Sequence, residues 1–451
     1  MMLLLKVEWL RLRRRVSVWA ILFVFFIAGL AAIFLGQHGY EAQMQEVAGI
    51  GGQFHEQCQR LEHRYKKAGE HSGYWAYYSA FPVAQKPQPL AALSWGLRGV
   101  APSVIWVRLL GLEQQLYETE MANPQIQSLG QFDLGFVFSV LAPLVLLLLC
   151  HDVLSRDRSD GTLPLLAAQA GGLGKIFFVR LLLRFVLLVA VCVFLFLAAG
   201  VILELPRSSE TWVWLGVALI GLLPWALIVA VIAARARSVG TSLMAAMACF
   251  VGFMVLLPAL FQLSLSVAFP VAEGLELTVR QRQVMHDGWD QARQLNYEKF
   301  LSERAQYAEF PTVPEDTFSW RWYYAMHEVA DRSVKKLSQQ YIASLRQRQL
   351  WSQRLAWISP PAMTQAMLCS HAATDLEAYL RHLDQTRAFH EDLKDYFFPL
   401  IFAETVFASG ATQGFPQFRP NQAPRVSLNF LPSFLLSLIL LPFARPRLPL
   451  S

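Results

Sequence analysis

Charge is what this chain has least of: Asp, Glu, Lys and Arg make up 16% of its 451 residues, against roughly 25% in a soluble domain. With 55% of residues hydrophobic, the deficit excludes an ordinary water-soluble globule and points to a membrane. Glycine and proline are not in excess, so low-complexity disorder is excluded over most of the length. A phosphate-binding loop is missing, since Gly174-Lys175 is followed by Ile176 and has no spaced upstream glycine. No Gly-x-Ser-x-Gly nucleophile motif appears either, which leaves hydrolysis without positive support. The net charge of +6 does not argue for nucleic acid, because the arginines flank apolar runs instead of sharing one basic, aromatic-studded face.

What is present in quantity is apolar sequence in long runs. A spanning helix needs roughly 20 residues at 1.5 Å each to cross about 30 Å of hydrocarbon. Six runs fit: Val16–Leu35, Leu134–Cys150, Ile176–Leu203, Trp212–Ala234, Leu243–Phe269 and Val426–Phe443, the second and sixth being short. The expected fold is therefore an all-α integral membrane protein with about six transmembrane helices. Lys and Arg in short connections mark the cytoplasmic side. Lys6, Arg11, Arg13, Arg14 and Arg15 precede the first run, Arg156, Arg158 and Lys175 follow the second, Arg235 and Arg237 follow the fourth, and Arg445 and Arg447 end the chain. These put both termini on the cytoplasmic side. A cleavable signal peptide is the alternative for the first run, but the run is longer than the usual apolar region of roughly 7 to 15 residues. The stretch before it, with Leu3, Leu4, Val7 and Leu10 against Lys6, Arg11, Arg13 and Arg14, is amphipathic enough to lie in the headgroup layer.

The expected organisation is an amphipathic stretch and first span over 1–37, an extracytoplasmic segment over 38–133, and spans two to five over 134–269 with a cytoplasmic loop at 151–175. A second extracytoplasmic segment, 270–425, and the sixth span with a tail, 426–451, complete it. Outer segments of such length should fold. The second reads as helical: Val279, Met285, Trp289, Leu295 and Phe300 recur at helical spacing, as do Trp322, Met326, Val329, Leu337, Tyr341 and Leu345. Pro311 and Pro314 separate these two helices, the Ser359-Pro360-Pro361 step ends the second, and a third covers Leu376 to Phe398.

The loop at 151–175 carries the most information. It reads Arg156, Asp157, Arg158, Ser159, Asp160, Gly161, Thr162, Leu163, Pro164, Leu165, Leu166. Gly161 can end one helix and Thr162 cap the next, leaving Leu163, Leu165 and Leu166 as an apolar knob for a cytosolic partner. On spacing alone it is also an ordinary helix-turn-helix link. The charged stretch ending in Asp160-Gly161-Thr162-Leu163, then Leu165-Leu166, then Gly174-Lys175, resembles the cytoplasmic loop of ABC-2-type transporter permeases. The basic stretch before the first span resembles that family's connecting helix, and the large insertions after the first and fifth spans resemble a subgroup with a large periplasmic domain. The departure is His151-Asp152, where acidic residues often begin the loop.

The resemblance implies a coupling helix docking on an ATPase subunit. ATP and Mg would then bind the ATPase dimer and no cofactor this chain, a second identical or homologous permease chain would complete the assembly, and the cargo would be amphipathic or lipid-linked. Rival readings are a non-transporting assembly or signalling anchor whose outer segments bind a periplasmic partner, and a membrane enzyme.

Other residues with chemistry are sparse. Cys58 and Cys369 lie in the two outer segments and could be bridged if their alpha carbons come within about 7 Å. Cys150, Cys192 and Cys249 read as small hydrophobes. His55, Cys58 and His63 offer three ligands without a fourth, and a solvated helix face is the expected state for them and for His382 and His390; no metal site is expected. Within the spans Arg180 and Arg184 are the main charges, expected to snorkel to headgroups with no buried acid nearby.

Overall fold

In the computed structural model, residues 2–65, 70–117, 132–169, 172–270, 274–310, 313–407, 410–421 and 431–444 are described. The chain is mostly helical, and among the described residues five helices are long and apolar enough to cross a membrane: Val16–Arg64, Leu134–Ser159, Leu173–Ile202, Ser209–Arg235 and Val239–Ala268. These match the first five expected spans, with later or earlier ends. Where the sixth was expected the chain forms a helix of ten residues, Leu431–Leu440, and a 3-10 turn, Leu441–Ala444, short of the roughly 20 residues a span needs; the start of that run, 426–430, lies outside the described residues.

The amphipathic stretch forms a helix, Met2–Arg13, with Glu8 and Leu12 facing the protein and Leu3, Val7 and Leu10 exposed. After a break at Arg14-Arg15 the next helix does not stop where its apolar run ends. It continues from Val16 to Tyr65 as 50 residues, about 75 Å at 1.5 Å per residue. Its first half packs Val18, Leu22, Phe25 and Ile33 into the core of the spanning bundle, and its far end packs Cys58 and Leu61 into a second core. Gly36 permits this passage, since a Cβ there would sit 2.1 Å from the Ala92 carbonyl oxygen.

The second core is a domain built from both inter-span segments and dominated by aromatic residues, among them Trp75, Phe81, Tyr297, Trp322, Phe397 and Phe402. The all-α expectation fails here in one detail: Phe81–Ala84 and Val104–Val107 form a two-stranded antiparallel sheet with Phe81 opposite Val107. The expected helix over 279–301 is two helices, Gly274–Asp290 and Arg293–Leu301. The other two run longer than the patterns implied, as Trp320–Leu355 and Leu376–Phe402.

Helix Trp320–Leu355 descends from the domain to the bundle. Arg348 Nε donates to the Phe269 carbonyl at the end of the fifth span (2.6 Å), and Trp351 stacks near the Phe269 ring. After the turn Ala356–Ile358 the chain reverses at Ser359-Pro360 into a short helix, Pro360–His371, whose Thr364 packs directly on Gly221. Gly221 lies twelve residues into the fourth span, about 18 Å from its end, so this helix is inserted among the spans to mid-depth. It returns to the surface at His371, whose Nε2 lies 2.7 Å from the Glu210 carbonyl oxygen. The spans widen to receive it. Pro143 and Pro258 have no N–H for the preceding turn, and each follows a π-helical turn, Val137–Leu141 or Gly252–Leu256. Both π turns contact the inserted helix, and Ser139 Oγ donates to Gln365 (2.7 Å).

Candidate functional site

The second span ends at Cys150, and the charged loop that follows is ordered by buried ion pairs rather than left in water. Asp152 is 7% exposed and gathers three arginines: Arg184 Nη1 at 2.8 Å, Arg15 Nη1 at 2.6 Å and Arg156 Nε at 3.6 Å. One helical turn away along the third span, Arg180 pairs with Asp157 and with Glu8 of the amphipathic helix (3.1 Å), and also donates to the Val153 carbonyl (2.7 Å). Arg184 adds a bond to the Leu149 carbonyl (2.7 Å).

The expectation that Arg180 and Arg184 snorkel without a buried acid is therefore wrong. Both are buried, and facing carboxylates made inward pairing better than reaching for headgroups. Removing one partner of such a pair leaves a buried charge alone, at a cost of about 3–5 kcal/mol.

The same loop is tied to the other spans. Arg158 donates to the carbonyls of Ala234 and Ala236, the orphan acceptors at the end of the fourth span. Ser242 Oγ, in the first turn of the fifth span, donates to the His151 carbonyl (2.6 Å). One loop thus continues the second span and touches Arg15, just after the amphipathic helix, and spans three to five.

Its outer edge is free. Helix Ser155–Ser159 ends at Asp160, Gly161 takes φ +70° as its helix-ending role requires, and Leu163–Gln169 follows. Arg156, Asp160, Gly161 and Thr162 are exposed. Thr162 departs from its expected role: its hydroxyl reaches back to the Asp157 carbonyl (3.3 Å) and carboxylate (3.4 Å). The apolar knob also shrinks, because Leu163 is buried under the loop and Leu166 half-buried. Leu165 alone stands out, at 60% exposure. Between the loop and the amphipathic helix lies a cavity of about 560 Å³ lined by Arg11, Arg14, Arg15, Asp160, Thr162 and Leu165, among others.

The sequence reading missed Glu8, Arg15 and Asp152 as parts of this site. The available signal was Glu8, a single acid inside a basic stretch, together with Arg180 and Arg184 spaced one turn apart opposite Asp152 and Asp157.

The remaining candidates are dispersed. Cys58 and Cys369 are free buried thiols, not a bridge; Cys58 sits in the domain core, while Cys369 is reached by Gln365 Nε2 at 3.5 Å. His55 and His63 share one helix with Cys58, and His55 meets Gln59 (2.9 Å). His382 and His390 are not on a solvated face: they are 2% and 1% exposed, in the domain interior. Burial pushes His382 down to about 4, with Arg98 adding to the effect, and His390 down to about 3, with Lys394 adding; burial alone holds His327 at about 4. Beside His390 a buried cluster joins Lys394 to Glu328 (2.7 Å), Glu391 (2.9 Å) and Asp331 (3.5 Å). Burial would raise Glu328, but Lys394, Arg332 and Arg304 hold it at about 2.

A family profile described as a domain of unknown function, DUF3526, matches residues 275–421, nearly the whole second inter-span segment. No curated protein and no solved structure matches the chain.

Proposed function

We propose that this chain is the membrane-spanning permease subunit of an ATP-driven exporter. A separate ATPase dimer would dock on the loop Arg156–Leu166, a second permease chain would complete the assembly, and the cargo would be amphipathic or lipid-linked. The observation that carries the reading is mechanical. The loop presents an exposed edge, with Leu165 at its tip, while its inner side is clamped through His151, Asp152, Asp157 and Arg158 to Arg15, just after the amphipathic helix, and to the third, fourth and fifth spans. A push on that edge is shared among the spans instead of being absorbed by a flexible turn. In this reading the loop and both termini lie on the ATP-containing side and the two-segment domain on the periplasmic side.

The test is ATP-coupled transport by the permease reconstituted with its ATPase. Replacing Leu165 by Asp should lower coupled turnover at least tenfold while the permease stays folded. Unchanged coupling in this variant would overturn the reading.

The second reading, an anchor that holds a partner-binding domain, is favoured by a different feature. Tyr74, Trp289 and Phe318 are exposed on the domain within a continuous set of ring contacts through Trp320, Tyr323 and Trp322. Exposed aromatic clusters of this kind suit protein recognition. A partner that binds the isolated membrane subunit without any ATPase would favour it.

A further inference from the structure

Two cavities meet on the side of the bundle next to the amphipathic helix. The first, about 800 Å³, lies between that helix and the start of the third span and is lined by Leu3, Val7, Arg11, Lys175 and Phe178, among others. The second, about 700 Å³, runs inward between the second, third and fourth spans and the C-terminal turn, along Phe177, Phe178, Leu181, Phe185, Leu223 and Ala230. Gly174 and Phe178 line both, so together they form one trough with a charged mouth and an apolar body.

The mouth sits at headgroup level. On the opposite face of the amphipathic helix that borders it, Trp9 packs edge-to-face with Trp19 at 6.4 Å, and Trp19 Nε1 donates to the Arg13 carbonyl (3.2 Å); such tryptophans mark the membrane–water interface. From Gly174 to Phe185 the lining covers twelve residues of the third span, a rise of about 16 Å, or half of a roughly 30 Å hydrocarbon layer. That is the depth of one acyl chain. Lys175 is exposed, and Arg11, half-exposed, pairs with Glu8 at 3.4 Å; with Arg14 nearby, the mouth carries more positive than negative charge.

We propose that this trough binds a phospholipid of the leaflet on the amino-terminal side. Its anionic headgroup phosphate lies between Arg11 and Lys175, and an acyl chain lies along Phe178 and Leu181. Charge complementarity at the mouth and apolar lining below it select for a lipid carrying both features. The site stands whether or not an ATPase docks on the neighbouring loop. Leu166 borders the mouth, so an occupying lipid also braces the loop from the membrane side.

The experiment is native mass spectrometry of the full chain released from nanodiscs containing equal amounts of phosphatidylglycerol and phosphatidylcholine. The expected result is one retained phosphatidylglycerol per chain, in at least fivefold excess over phosphatidylcholine. Lys175→Glu should lower that preference at least fivefold. Leu223→Trp, which fills the apolar body from an exposed position, should remove both lipids, whereas Leu263→Trp, on the exposed face of the fifth span, should change nothing. Added glycerol 1-phosphate should not displace the lipid, which separates a headgroup-plus-chain site from a simple phosphate site. Equal retention of the two lipids with Lys175→Glu silent, displacement by glycerol 1-phosphate, or retention in Leu223→Trp would each overturn the proposal. All variants are compared by melting temperature, so that loss of fold is not read as loss of lipid.

Discussion

Asp152 is the residue on which the loop is organised. It satisfies Arg15 and Arg184 at once and meets Arg156 at its exposed edge, so Asp152→Ala should destabilise the protein by about 3–5 kcal/mol, the usual cost of stranding a buried charge. The melting midpoint in detergent reads this directly. The combined change of Asp152→Leu with Arg184→Met should recover much of the loss, since apolar replacement of a whole buried pair is often neutral. Gly161 predicts a smaller effect. Its φ of +70° costs a residue with a Cβ about 1 kcal/mol, and no atom lies within 4 Å of the place a Cβ would occupy. Gly161→Ala should therefore cost about that much, and Gly161→Asn less, in the same melting experiment. Of the residues that build the site, Gly161 was legible because a glycine after a charged helical turn has a local meaning. Arg180 and Arg184 were misread because spacing along one helix shows a charge in an apolar run but not the carboxylate that faces it from another helix.

At the scale of elements, the inserted helix Pro360–His371 was not legible. The Ser359-Pro360-Pro361 step marked the end of one helix and the start of another, but twelve residues of mixed polarity are too few to read as membrane-embedded by length. What shows its depth is long-range contact. Thr364 lies on Gly221, and two π turns that precede Pro143 and Pro258 open toward it. A Cβ at Gly221 would stand 2.3 Å from Thr364 Oγ1. Gly221→Val should thus push the helix out of the bundle and cost about 1–3 kcal/mol by overpacking, with Thr364→Ala in the same chain relieving part of it. Thermal melts of the two single variants and the double variant test this; equal and additive losses would count against contact at that depth. The spans themselves were legible because their signal is uninterrupted apolar length. The continuation of the first helix to Tyr65 was not, because beyond Gln37 the sequence has only ordinary helix-compatible polarity and no cap to stop it.

The described residues form two hydrophobic cores, one among the spans and one in the domain, and they should respond differently to acid. His327, His382 and His390 are held neutral in the folded domain at about 4, 4 and 3, below the unfolded value of about 6.5. The unfolded chain binds these protons first, so the stability they contribute is complete above pH 6.5 and is lost as pH falls toward 4. Each buried histidine accounts for at most about 1.4 kcal/mol per pH unit in that window. Glu328, held at about 2, keeps its contribution throughout this range, being lost only as pH falls from about 4.5 toward 2. Melting followed by tryptophan fluorescence should show the domain transition falling steeply between pH 6.5 and 5 while the bundle transition moves little; a pH-independent domain transition would contradict the burial of these rings. The division into two cores also explains why composition revealed the membrane but not the domain's interior: the domain uses aromatic residues at helical spacing, which fix a core without naming what the domain binds.

An ATPase docking on the edge Arg156–Leu166, as proposed, should co-purify with the full chain in mild detergent, and the amount retained is compared for the natural sequence and for Leu165→Asp. The expected result is an ATPase in equal proportion to the chain and its loss in the variant, with the melting temperature unchanged. An ATPase held equally well by Leu165→Asp, or none held by the natural sequence, would overturn the proposal.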